Sequence, residues 1–85
     1  MKSCMPRVRL YAKPGCHLCE EARRDLDQLR KPMPHTLEEV DISAEPDLVR
    51  RYGERIPVVE VGGREYAAPL SWLVLERALR EGNAS

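Results

Sequence analysis

The sequence predicts one α/β domain in the order β-α-β-α-β-β-α, a four-stranded mixed sheet with helices on both faces. Three observations carry this. An alternating polar–apolar run breaks at Lys13-Pro14-Gly15 and is replaced by a helical period. A second strand-like run then returns, completing a βαβ unit. Two late short runs meet at Gly62-Gly63. At 85 residues there is room for one hydrophobic core. A single domain, 1–85, is therefore expected, with a flexible leader at 1–6 and a flexible tail at 81–85.

Arg7 to Ala12 alternate, with Val8 and Leu10 on one side, and read as the first strand. From Cys16 to Arg30, Leu18, Ala22, Leu26 and Leu29 recur at spacings of four, four and three, one face of a helix that Pro32 and Pro34 stop. Leu37 to Ile42 reads as the second strand. Pro46 suits the first turn of a short helix ending at Tyr52, with Gly53 expected in the left-handed backbone that closes helices. Pro57 to Val61 and Arg64 to Tyr66 are strands joined by a two-residue hairpin loop. Leu70, Leu73, Val74, Arg77 and Ala78 mark the face of a last helix, capped by Ser71 or started by Pro69. The βαβ half requires a right-handed crossover and a parallel strand pair.

Fourteen basic and fourteen acidic residues give zero formal charge. That removes the general attraction to nucleic acid or an anionic membrane which excess Lys and Arg supply. The pairs Arg23-Arg24 and Arg50-Arg51 sit among acids and read as solvated helix surface. Met1 to Pro6 lack the apolar core of a secretory signal, and no apolar run approaches the ~20 residues of a membrane span. The cytoplasm is the expected compartment, where thiols stay reduced and a structural disulfide is disfavoured.

Cys16-His17-Leu18-Cys19 falls between a strand end and the first turn of a helix. A thiolate there is stabilised by unpaired backbone N–H groups and by the positive end of the helix dipole. Cys16 is the expected nucleophile. Cys19, one turn deeper, is the expected resolving thiol that attacks the mixed disulfide. Lys13 adds a cation near Cys16, and His17 adds another when protonated. A Cys-x-x-Cys pair is also half of a zinc site, but the remaining candidates, Cys4, His17 and His35, form no second paired cluster. No metal site is expected. The order Cys-x-x-Cys-His of haem attachment is absent, since Glu20 follows Cys19.

These residues resemble the glutaredoxin branch of the thioredoxin superfamily over about Arg7 to Leu79. Tyr11-Ala12-Lys13-Pro14-Gly15-Cys16-x-x-Cys19 is similar to its active-site entry, Val40-Asp41-Ile42 to its second strand, Arg55-Ile56-Pro57-Val58 to its cis-proline segment, and Gly62-Gly63 to its diglycine turn. Within that branch the chain resembles short bacterial proteins carrying Gly-Cys-His-Leu-Cys followed by an acid. The resemblance implies a thioredoxin/glutaredoxin-like fold and a thiol–disulfide oxidoreductase acting on protein or small-molecule disulfides. It implies no tightly bound cofactor, with glutathione or a thioredoxin-type reductase as electron donor. It also implies a cis Pro57 facing the cysteines, with the Ile56 backbone free to pair with an extended thiol substrate, and a Lys13 able to pair with a glutathione carboxylate. Two departures stand out: His17-Leu18 replaces the usual Pro-aromatic pair, and no Asp starts the last helix, where the family holds glutathione's γ-glutamyl end. The alternative from a different class is an iron–sulfur cluster or soft-metal carrier using the same cysteines.

Lesser residues have plainer expected roles. Cys4 is incidental, Trp72 a core or rim residue, and Asp41 a turn or cap residue rather than a proton acceptor for Cys19. Tyr11 suits the core and the active-site rim equally. Glu20 and Glu21 complement the helix dipole.

Overall fold

The computed structural model describes residues 6–84, with side chains through Gly82. The expected leader, apart from Pro6, and Cys4 lie outside the described residues. The elements are β1 (Arg7–Ala12), α1 (His17–Leu29), β2 (Thr36–Asp41), a 3₁₀ turn (Ile42–Ala44), α2 (Pro46–Tyr52), β3 (Val58–Val61), β4 (Arg64–Ala67) and α3 (Trp72–Ala84). The sheet order is β2-β1-β3-β4, with β1 parallel to β2 and both other pairs antiparallel. This is the expected architecture.

Alternation along β1 divides the molecule into two cores. Val8, Leu10 and Ala12 join Val59 and Val61 on one face, where Ala22, Leu26 and Leu29 of α1 and Leu75, Ala78 and Leu79 of α3 cover them. On the other face Tyr11 and Val58 meet Ile42 and Tyr52, so α2 packs there. The Tyr11 and Tyr52 rings stack at 4.3 Å, and the Tyr52 hydroxyl donates to Glu65 Oε2 at 2.6 Å. Tyr11 is therefore a core residue beneath α2. Beyond α2 on this face, Arg9 bridges its cross-strand neighbours Glu38 (3.3 Å) and Glu60 (3.9 Å).

The β3–β4 hairpin closes through Gly62 (φ 60°) and Gly63 (φ 83°), the paired positive dihedrals of a type I′ loop. Asp41 behaves as the expected turn residue: its Oδ1 accepts from the Ser43 backbone N–H (2.9 Å) and hydroxyl (2.6 Å). Pro46 opens α2, and Arg50 and Arg51 occupy its last turn.

The structure corrects several local expectations. The buried side of α1 is Cys19, Ala22, Leu26 and Leu29. Leu18, about 100° round the helix from Cys19, is left 55% exposed. In α3 the inward set is Leu75, Ala78 and Leu79, whereas Leu73 is 73% exposed. Leu75 and Leu73 are two positions apart, so they point to nearly opposite sides. Positions 81 to 84, expected in the tail, continue α3. Glu81 there accepts from Arg64 and the Tyr66 hydroxyl, which ties the last turns to β4. A Cβ at Gly82 would run into Val61 Cγ1, so the missing side chain lets α3 approach β3. Gly53 has φ −53°, right-handed rather than left-handed. Its need for glycine is steric, since a Cβ would lie 2.5 Å from the Val49 carbonyl oxygen. His35 immediately precedes β2 and is buried, with Nδ1 2.8 Å from the Met33 carbonyl oxygen.

Candidate functional site

Lys13, Pro14, Gly15 and Cys16 form a β-turn in which the Cys16 N–H donates to the Lys13 carbonyl at 3.3 Å. Proline at the second position and Gly15 at φ 80° at the third make it type II. Nothing lies within 4 Å of a Cβ built at Gly15, so its role is the backbone angle and not space. The turn delivers Cys16 as the N-cap of α1 in extended backbone (φ −86°, ψ 112°). From there the Cys16 carbonyl accepts the first helical bond, from the Glu20 N–H at 3.1 Å.

The Cys16 sulfur takes the place of a capping oxygen: Sγ accepts the Cys19 backbone N–H at 3.3 Å. Cys16 is partly exposed, whereas Cys19 is 3% exposed and belongs to the α1–α3 core. Burial first, and then the hydrogen bond its thiol makes to Cys16, push the Cys19 thiol up to about 11. Lys13 acts on Cys19 in the opposite sense, more weakly. Both thiols are free. The pair is thus asymmetric: one sulfur faces outward among hydrogen-bond donors, and the other is held protonated behind it.

A cleft of about 340 Å³ opens beside Cys19, lined among others by Lys13, Glu20, Arg23, Glu39 and Asp41. Sequence reasoning did not place Arg23 or Glu39 here. The signal was available in the βαβ register, which sets Ala12 beside Asp41 at the same end of the sheet. Arg23 bridges to Glu39 at 3.6 Å across that opening.

The other expected site residues are distributed as follows. Lys13 is exposed on the turn, and His17 is exposed with Nε2 3.0 Å from Glu21 Oε2. The Ile56–Pro57 bond is cis, as the resemblance implies, and so is Ala68–Pro69, which the sequence reading did not anticipate. Pro57 is fully buried, and Ile56 is partly buried against both cores. The Ile56 backbone is only half free. Its N–H donates to the Tyr52 carbonyl at 3.0 Å, and no backbone bond to its own carbonyl is made among the described residues.

Strand register brings these segments to one end of the sheet. Tyr11 pairs with Val58, and Val58 with Ala67. The exit of β1, the entrance of β3 and the exit of β4 therefore lie together. Because α1 follows β1 and α3 follows β4, the N-termini of both helices stand toward this end, on the face they share.

Among the described residues, no helix is long and apolar enough to cross a membrane, and no group of three or more His, Cys, Asp or Glu side chains is placed to hold a metal ion. The chain is 30% identical over 80 residues to uncharacterized proteins of Mycobacterium bovis and Mycobacterium tuberculosis, covering 88% of this chain and 79% of theirs. Two solved structures are similar with a TM-score of 0.76 each. A structural-genomics target protein from X. campestris is 32% identical, over 87% of this chain and 96% of its own. Protein Ne2328 from Nitrosomonas europaea is 29% identical, over 91% and 94%. Thioredoxin O2 from Arabidopsis thaliana, in its oxidized state, shares the fold at TM-score 0.64 and 21% identity, over 91% of this chain and 74% of its own. Residues 7–82 match the family model described as "Glutaredoxin-like domain (DUF836)". With its β-α-β-α-β-β-α order and its Cys-x-x-Cys at the α1 N-terminus, the chain belongs to this glutaredoxin-like family.

Proposed function

We propose that this protein is a thiol–disulfide oxidoreductase that reduces disulfides of proteins or small molecules through its Cys16–Cys19 dithiol. The observation that carries the reading is the asymmetry of the two sulfurs: a partly exposed Cys16 at a helix N-cap, and a buried Cys19 thiol pushed up to about 11 directly behind it.

The Cys16 thiolate attacks one sulfur of a substrate disulfide. A new Cys16–substrate disulfide forms, the substrate S–S bond breaks, and the first substrate thiolate leaves and takes up a proton. Cys19 then loses its proton to water in the adjacent cleft and attacks Cys16 Sγ. That closes the Cys16–Cys19 disulfide and expels the second substrate thiol. Two electrons have passed to the substrate, and an external dithiol, glutathione or a thioredoxin-type reductase, returns them. Local geometry favours the order. In the dithiol, Cys16 Sγ is already within 3.3 Å of the Cys19 N–H, and protonation of the buried Cys19 leaves the first attack to Cys16. A reducing compartment, the cytoplasm, suits this direction.

Single-serine variants test the reading. Cys16→Ser is expected to abolish reduction of a fluorescent peptide disulfide. Cys19→Ser is expected to accumulate a mixed disulfide on residue 16, read by intact mass. Unchanged turnover in Cys16→Ser would end the proposal.

A further inference from the structure

We infer that two copies of this chain associate through the open edge of β2, antiparallel about a two-fold axis at Glu38, to form one continuous sheet. The inference is independent of the redox reading.

β2 ends the sheet, and its six residues run in unbroken register with β1 and include no proline. The Thr36 N–H donates to the Pro6 carbonyl at 3.0 Å, so Thr36, Glu38 and Val40 turn their main chain toward β1. The intervening Leu37 and Glu39 turn theirs outward, where no backbone partner meets them among the described residues. An edge of this length, without proline or bulge, is a template for another strand.

The side of α1 above that edge determines which strand fits. A groove of about 460 Å³ lies between them, lined by Glu20, Arg23, Asp27 and Arg30 from the helix side and by Leu37 and Glu39 from β2. The four helix-side positions form one stripe, next to the buried stripe of Cys19, Ala22, Leu26 and Leu29. Its charges alternate along the helix: minus, plus, minus, plus. Such a stripe is complementary to its own reversed copy, with Glu20 against Arg30 and Arg23 against Asp27. Within one chain these groups make only half-exposed contacts, Arg23–Glu39 and Arg30–Asp27, both at 3.6 Å. Exposed pairs of this kind contribute little and can be shared with a second chain.

Helix and strand agree on one axis. The reversal of α1 centres on Asp25, about 3 Å along the helix from Arg23. Arg23 reaches Glu39, and α1 runs against β2, so Asp25 stands about one strand residue lower, level with Glu38. An axis there sets Leu37 opposite Glu39 of the second copy, and Glu39 opposite its Leu37. These are the outward-turned residues, so each pair exchanges both of its main-chain hydrogen bonds. An axis at Glu39 would instead bring Arg23 against Arg23. Glu38 does meet Glu38 across the chosen axis, on the α2 face, where each is held by its own Arg9 at 3.3 Å. The two Cys16 sulfurs then lie at opposite ends of the joined sheet and both stay open. Arg30 of the second copy arrives at Glu20, on the rim of the cleft beside Cys19.

Sedimentation velocity in excess reductant, at about 10 and about 300 μM chain, brackets the Kd expected of so small an interface, about 100 μM. The wild type is expected to shift with concentration toward twice the 9.7 kDa chain mass. Glu39→Pro deletes an outward N–H from each copy without touching the bonds to β1, and is expected to stay monomeric at both concentrations. Arg30→Glu sets a carboxylate against Glu20 and is expected to weaken association about tenfold or more. Glu20→Arg/Arg30→Glu exchanges the charges and is expected to restore it to within about threefold of wild type. Cys16→Ser is expected to associate like the wild type, since that sulfur does not border the groove. Urea midpoints check the fold of each variant, and the charge exchange decides the matter even if Glu39→Pro does not fold. A wild type that is monomeric at the higher concentration would overturn the inference. So would a folded Glu39→Pro that still associates, an exchanged-charge variant no tighter than Arg30→Glu, or a dimer lost in Cys16→Ser.

Discussion

Replacing Cys4 and Cys16 together by serine leaves Cys19 as the single thiol of the chain, and its reactivity measures the environment that the resolving sulfur occupies. In the native dithiol the Cys19 thiol is pushed up to about 11 from an ordinary 9.0, with burial as the first cause and the bond to Cys16 as the second. At about pH 8 a thiol at 9.0 is ionised about one time in ten, and a thiol at 11 about one time in a thousand. The full difference is a hundredfold in reactive thiolate. Cys16→Ser removes the second cause but leaves the larger one, so alkylation of Cys19 by iodoacetamide should run between about tenfold and a hundredfold slower in the native variant than in urea. Poor access to a side chain only 3% exposed slows it further. Intact-mass sampling over time gives both rates from one sample. A native rate within about threefold of the unfolded one would refute the idea that the fold keeps this thiol protonated.

Gly82→Ala should lower stability by about 1–3 kcal/mol in urea unfolding through the clash with Val61, opposite in sign to the ~1 kcal/mol gain expected at an unobstructed helix position. Alkaline stability should follow Cys19 and Tyr52, the latter pushed up to about 12 from 10.0 first by its bond to Glu65 and then by burial. Folded values above unfolded ones mean that the stabilisation is complete below about pH 9 and is lost as pH rises through about 11–12; Tyr52→Phe should flatten the upper part of that decline in urea midpoints taken against pH. Anaerobic purification should yield a chain with no visible absorption band, since the exchange mechanism uses no cluster; a coloured dimer would favour the carrier alternative.

What could be read from the sequence was local. The first strand, the turn at Pro14-Gly15, the placement of Cys16 and Cys19 and the Gly62-Gly63 loop each depend on period or turn chemistry within a few residues, and all of them hold. The errors concern which partner covers a face. Leu18 suits the apolar period of α1, yet nothing local says that the helix rolls toward Cys19 instead. Leu73 suits α3 equally well until Gly82 is seen to set the contact with β3, and reading 81 onward as a tail hid that glycine. The stacking of Tyr11 on Tyr52 joins residues 41 positions apart in sequence, beyond any periodicity argument. At the site, the sequence located the sulfurs but not Arg23 and Glu39, which border the cleft beside Cys19, because these come from the outer side of α1 and from β2. The half-occupied Ile56 backbone depended on Tyr52, again a tertiary partner.

The two faces of the sheet are unequally loaded, and this has a dynamic consequence. The α2 side rests on Tyr11, Ile42, Tyr52 and Val58, while the helix that bears the thiols shares its much larger cluster with α3. Amide protons of α2 are accordingly expected to exchange through sub-global openings of lower free energy than those of α1. Such an excursion is expected to release the Ile56 N–H from Tyr52 while the sulfur-bearing platform stays assembled, so melting of the thinner layer would free a second main-chain group beside the cis proline.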